Sequence, residues 1–243
     1  MAIVQALGDI SQQTVVEIGP GAGAITELLA PRAARLVAIE LDRDLAPRLR
    51  AQFAARPTVE ILQADVLTVD FDQLRSGDQR LLVVGNLPYY ITSDILLRLF
   101  RFDEAISRAV IMVQREVADR IAAVPGTRDY GLLSATAQLY AQIERVLTLP
   151  PEAFMPPPDV HSTVLRLEMR PRFADLGVEP DAFIGFLKQS FAQKRKTLAK
   201  NLRATGLATE VVARALESAE VAPAARAEEL GLDAMARVWR LLQ

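Results

Sequence analysis

Hydrophobic positions fall along this chain in short unbroken runs separated by amphipathic stretches, the pattern of strands buried on both faces alternating with helices. Residues 14–18 (TVVEI), 35–40 (RLVAIE), 59–62, 81–85 (LLVVG) and 109–113 read as five strands. Residues 24–30, 43–53, 93–100 and 116–123 carry apolar side chains at helical spacing. Regular alternation of this kind predicts a doubly wound α/β fold with a mostly parallel sheet. The pattern then changes. Residues 131–140 read as a helix, but residues 144–149 and 162–169 read as strands flanking a proline-rich loop at 150–158. Two strands joined in this way predict antiparallel neighbours at one sheet edge, which the prolines blunt. From Pro171 onward only helical periodicity remains, so the expected division is a sheet domain over 1–171 and a small all-helical domain over 172–243.

The residues that interrupt this pattern sit at the carboxyl ends of the strands, where open α/β sheets put their ligand sites. The first strand ends in Gly19-Pro20-Gly21-Ala22-Gly23 ahead of a helix, an arrangement that lets backbone approach a ligand closely. Glu40 ends the second strand about 20 residues later, where a carboxylate can accept from ribose hydroxyls. Asp65 follows the third strand. Read as Gly19-x-Gly21-x-x-Ala24, the turn also satisfies the relaxed dinucleotide fingerprint, so an NAD-dependent dehydrogenase stays open at this point. The fourth strand ends in Asn86-Leu87-Pro88-Tyr89. An exocyclic amine on an aromatic base is a poor nucleophile because its lone pair is delocalised into the ring. Acceptors on both its N–H bonds, the Asn86 side-chain carbonyl and the Leu87 backbone carbonyl, would draw the nitrogen toward tetrahedral geometry. Pro88 stiffens this turn, and Tyr89 offers a face for base stacking.

Composition narrows the choices. The chain has 243 residues, no cysteine and one histidine, which excludes disulfides, thiolate metal sites and a histidine cluster. No apolar run approaches the roughly 18 residues of a membrane span, and the first residues lack the basic region of a secretory signal, so the cytoplasm is the expected location. A net charge of −2 argues against a nucleic-acid partner until its distribution is considered. Residues 185–205 hold six cations (Lys188, Lys194, Arg195, Lys196, Lys200, Arg203) and no acid. Taken as one continuous helix, Phe183, Leu187, Phe191, Leu198 and Leu202 share one face, and Lys196, Lys200 and Arg203 project from the other.

The close-set GPGAG with Glu17 two residues ahead of it resembles motif I of class I methyltransferases. EIGPGAGAIT, the acid of AIELD, ADVL and GNLPYYITSDIL, in this order, resemble the KsgA/RsmA family of rRNA adenine dimethyltransferases. The resemblance continues through MVQREVADRIAA, DYGLLSATAQLY, PPEAFMPPPDVHSTVLRL and FLKQSFAQKRKTLAKNL, nearly the whole chain. It implies a Rossmann-like class I methyltransferase domain with an antiparallel edge. It implies S-adenosylmethionine as cofactor, held by Glu17, Gly19, Gly21, Glu40, Leu41, Asp65, Val66 and Asn86. It implies Asn86, Leu87, Pro88 and Tyr89 as the residues that position the base. The implied substrate is two adjacent adenosines near the 3′ end of small-subunit rRNA in a 30S precursor particle, each methylated twice on N6. Arg115, Lys194, Arg195, Lys196, Lys200 and Arg203 are then the expected RNA contacts, with a monomer, no metal and no membrane expected. A ribosome-assembly factor with dispensable catalysis is the alternative. Two features depart from the family's pattern: its N-terminal GQNFL-like segment has no counterpart in these residues, and His161 stands where an acid is common.

Overall fold

The structure is a computed structural model that describes residues 2–154 and 157–243, so part of the expected loop at 150–158 lies outside the described residues. The chain divides into two compact units, residues 1–118 with 142–169 and residues 119–141 with 170–243. The expected division at 171/172 falls close to the second junction. Residues 119–141 depart from that expectation, because they group with the helical unit.

In the first unit the β-branched runs form β1 (Thr14–Ile18), β2 (Arg35–Glu40), β3 (Val59–Gln63), β4 (Leu81–Asn86), β5 (Ile106–Gln114), β6 (Ala141–Leu149) and β7 (Ser162–Met169). They make one seven-stranded sheet in the order β3-β2-β1-β4-β5-β7-β6. The pairs β2–β3, β1–β2, β1–β4 and β4–β5 are parallel, and β7 runs antiparallel to β5. The strand β6 starts three residues before its expected beginning, directly at the end of a helix. Glu144 pairs with Arg166 at 2.5 Å and Thr148 meets Thr163 at 3.0 Å, an opposed register that makes β6 and β7 antiparallel. The order reverses between β1 and β4, which opens the crevice at their carboxyl ends. Gly85 makes that pairing close: a Cβ there would stand 2.8 Å from the Ile18 carbonyl oxygen.

The helices α1 (Ala2–Gln5), α2 (Ala24–Leu29), α3 (Leu45–Gln52), α4 (Thr92–Arg101) and α5 (Arg115–Ile121) accompany the sheet in sequence. On α4, Ile95, Leu96, Leu99 and Phe100 recur at helical spacing and are buried, while Arg98 and Arg101 occupy its last turn, favourable to the helix dipole. Leu29 of α2 and Leu49 of α3 join Val15, Leu36 and Val84 in one core, each large side chain contributing roughly 1.5–3 kcal/mol.

The second unit holds α6 (Leu132–Tyr140), α7 (Phe173–Leu176), α8 (Pro180–Ser190), α9 (Leu198–Arg203), α10 (Thr209–Ser218) and α11 (Leu232–Leu241). Tyr130, Leu139, Phe183, Leu198, Leu216 and Trp239 anchor its core. The single helix expected across the basic segment is two helices. Ser190 ends α8, and Thr197 caps α9 by accepting from the Lys200 backbone N–H at 3.3 Å. Asn201 closes the turn between them, its Nδ2 donating to Ser190 O at 2.6 Å and to Gln193 O at 3.3 Å.

Candidate active site

The glycine turn, Glu40, Asp65 and the Asn86 turn come from four different strands and meet at one end of the sheet. A cavity of ≈ 390 Å³ opens there, within the usual range for small-molecule sites. Its apolar walls include Ile39, Ala64, Val66 and Ile95, and its carboxylates are Glu40, Asp42 and Asp65. Gly19 borders it, and Leu41 and Tyr90 stand at its edge, Tyr90 80% exposed.

Glu40 is held in place by backbone donors. Its Oε2 accepts from Gly21 N–H at 3.0 Å and its Oε1 from Asp42 N–H at 2.9 Å. A carboxylate has about four lone-pair sites, so two acceptor positions remain for hydroxyl groups of a ligand. The Gly21 contact requires a left-handed backbone, φ 57°, that a side chain would strain. Asp65 folds its own loop by accepting from Leu67 N–H at 2.9 Å.

Glu17 is placed differently from the expectation. It is 1% exposed, accepts a 2.7 Å hydrogen bond from Thr26 Oγ1 of α2, and does not line the cavity. Burial pushes its carboxyl up to about 7, against the hydrogen bond from Thr26 that favours the ionised form. Its hydrogen bond ties α2 to β1 behind the glycine turn.

The residues expected to position the base divide. Leu87 is 1% exposed and donates its N–H to Met112 O at 3.0 Å, which fixes the turn to β5. Pro88 lines the cavity with φ −59° and ψ 131°. Asn86 is exposed, Tyr89 is 39% exposed, and neither lines the cavity. The Asn86 carbonyl oxygen lies 3.9 Å from where a Gly19 Cβ would stand, so the glycine turn and the Asn86 turn run side by side.

Among the proposed RNA contacts, Arg115 is exposed and its N–H donates to His161 O at 2.9 Å. In the helical unit, Lys194, Arg195, Lys196, Lys200 and Arg203 are all exposed, and among the described residues none joins a salt bridge. Lys194 Nζ donates to Arg128 O at 3.2 Å. Sequence reasoning passed over Tyr90, Ile91 and Ile95 as lining residues. Tyr90 had a signal, since it stands beside Tyr89, but the two isoleucines carry only the helical spacing that core residues share.

A doubly wound sheet with an antiparallel edge and a nucleoside-sized cavity at its switch point defines a Rossmann-like class I methyltransferase. The sequence model of the family "Ribosomal RNA adenine dimethylase" matches residues 2–243, and the chain belongs to that family. It is 62% identical over 242 residues to ribosomal RNA small subunit methyltransferase A of Acidobacterium capsulatum, covering all of this chain and 86% of that protein. It is 51% identical to the protein of the same name from Koribacter versatilis, covering all of this chain and 89% of that one. Among solved structures, the 23S rRNA methyltransferase ErmE superposes with a TM-score of 0.74 at 26% identity, covering 99% of this chain and 95% of the other. A dimethyladenosine transferase from Plasmodium falciparum shares the fold, with a TM-score of 0.78 at 22% identity over 98% of this chain and 92% of that one.

Proposed function

We propose that this protein dimethylates N6 of two adjacent adenosines near the 3′ end of small-subunit rRNA, using S-adenosylmethionine, within a 30S precursor particle. One observation carries the reading: Pro88 and Tyr90, of the turn that would hold the base, wall the same cavity as Glu40 and Asp65. The cavity suits the cofactor chemically, with apolar walls for a flat base, the free acceptor positions of Glu40 for ribose hydroxyls, and Asp65 to accept from the adenine amine. The bound cofactor supplies a methyl group on a sulfonium, already an excellent leaving group. Asn86 accepts one N–H of the target amine and the Leu87 carbonyl accepts the other, which aims the lone pair. Tyr89 stacks on the base after it has left its own stack. The work of the protein is alignment, and no general base is needed, because the amine sheds its proton readily once it becomes cationic. After the first transfer the amine keeps one N–H, and either acceptor can hold it. The exposed cations from Lys194 to Arg203, with Arg115, bind phosphates without regard to sequence. The protein acts as a monomer and without a metal in this reading.

The decisive assay is transfer of labelled methyl groups to small-subunit precursor particles. Wild-type protein should label them, and Asn86→Ala should lower the rate by about 100-fold or more, the scale seen when one positioned hydrogen-bonding group is removed. Unlabelled particles with wild-type protein would sink the reading. Calorimetry should detect S-adenosylhomocysteine and not NAD.

A further inference from the structure

A second cavity, ≈ 620 Å³, opens in the helical unit between α9, α10 and the loop after α10. Val212, Leu216 and Val221 give it an apolar floor. Its polar groups are of both signs: Arg203 of α9 on one wall, Glu217 and Glu220 at the end of α10 on another. Arg203 forms no salt bridge with either carboxylate among the described residues, so all three remain open to a ligand. Lys200 lies three positions before Arg203, on the same side of α9.

Glu220 is placed at the cavity by the way α10 ends. Its φ of 58° is the left-handed turn of a helix C-terminus, closed by Val221 N–H donating to Leu216 O at 2.9 Å, and it sets the Glu220 side chain at the cavity edge beside Glu217.

We propose that this cavity receives a guanosine of the bound RNA strand. An apolar floor suits a flat base, and Arg203 and Lys200 suit its phosphate. The carboxylates select which base. An ionised carboxylate only accepts hydrogen bonds. Guanine presents two adjacent donors, N1–H and the N2 amine, on one edge. Adenine and cytosine set a ring acceptor beside their amine, and uracil flanks its single N–H with carbonyls, so each would meet the carboxylate with repulsion. The proposal rests on the rRNA reading above and deepens it: the same protein that acts on adenine at the sheet would read a guanine at α10.

The test is fluorescence anisotropy of the full chain with labelled pentanucleotides bearing G, A or C at the centre of a uridine strand. The central G should bind about tenfold more tightly, the discrimination expected of one good two-point contact to a base. Ala213→Trp fills the cavity from an exposed position, and Glu217→Gln with Glu220→Gln removes the acceptors. Both variants should bind all three strands alike while keeping the wild-type circular dichroism spectrum and melting curve, which report intact folding of the helical unit. Inosine at the centre, lacking the N2 amine, should lose most of the advantage. Equal binding of the three strands by wild-type protein, or a G preference that survives Ala213→Trp, overturns the proposal. GMP should compete only far above the strand concentration; equal potency overturns the assignment to an RNA strand. Capture of an arginine-rich peptide lost in Ala213→Trp, with no preference among strands, would assign the cavity to a cationic side chain instead. Failure of the rRNA reading shows separately, as absent methyl transfer by wild-type protein, because the anisotropy assay contains no cofactor.

Discussion

Glu17 has a carboxyl ordinarily near 4.5 that burial raises to about 7, so the folded protein binds a proton there that the unfolded chain has lost. The linked stability is fully present below about pH 4.5 and is lost as pH rises through about 7. The shift corresponds to roughly 3 kcal/mol at most. Glu17→Gln keeps an acceptor for Thr26 and removes the titration. Denaturant midpoints measured from pH 4 to 8 should therefore fall across that window in the wild type and lose this component in the variant, which should be the more stable of the two at pH 8. Gly85 is constrained in another way. A Cβ 2.8 Å from the Ile18 carbonyl oxygen meets backbone that cannot turn aside, so Gly85→Ala must part β1 from β4 at the point where the two site turns begin. The expected cost is about 1–3 kcal/mol, the usual range for overpacking, and a melting curve should move down by about 2–4 °C per kcal/mol.

At the level of elements, the central parallel strands were legible because they are buried on both faces and so appear as continuous apolar runs, as TVVEI and LLVVG do, whereas the edge strand β3, VEILQ, buries only Ile61. The break between α8 and α9 was not legible from periodicity. Phe183, Leu187, Leu198 and Leu202 are buried in the two-helix arrangement just as they would be on one helix, so the apolar spacing reads the same in both. What decides it is hydrogen bonding: the Thr197 cap and the two carbonyls reached by Asn201 Nδ2. The grouping of residues 119–141 with the tail was hidden for a related reason, since Tyr130 and Leu139 find their core partners far along the chain. The site was legible where a residue type has one use, as at Glu40 and Pro88, and illegible at Ile91 and Ile95, where a lining residue looks like any core residue. Asn201→Ala tests the turn. It leaves the Ser190 carbonyl without its donor at a cost of about 1–3 kcal/mol, so hydrogen exchange over residues 191–197 should rise and binding of single-stranded RNA should weaken.

Across the whole molecule, net charge and local charge point in opposite directions. The chain carries −2 overall, yet six cations and no acid lie between residues 185 and 205. Beyond a Debye length, about 8 Å at physiological salt, the overall charge gives RNA no attraction; at contact the local cations decide. Affinity for RNA should accordingly be short-ranged and strongly salt-dependent. Each cation that neutralises a phosphate adds about 0.7 to the slope of log affinity against log salt for a single strand. Lys196 and Lys200 are both exposed and free of salt bridges among the described residues. Replacing both with glutamine should therefore reduce the slope by about 1.4 and weaken all sequences alike. Arg32→Gln, an equally exposed cation far from this segment in sequence, should leave the slope unchanged. If Arg32→Gln lowers it by half as much as the lysine pair, the same per charge removed, binding follows net charge and the basic turn has no particular part in holding RNA. If only the lysine pair shifts it, the turn between α8 and α9 is where an acidic protein holds a polyanion.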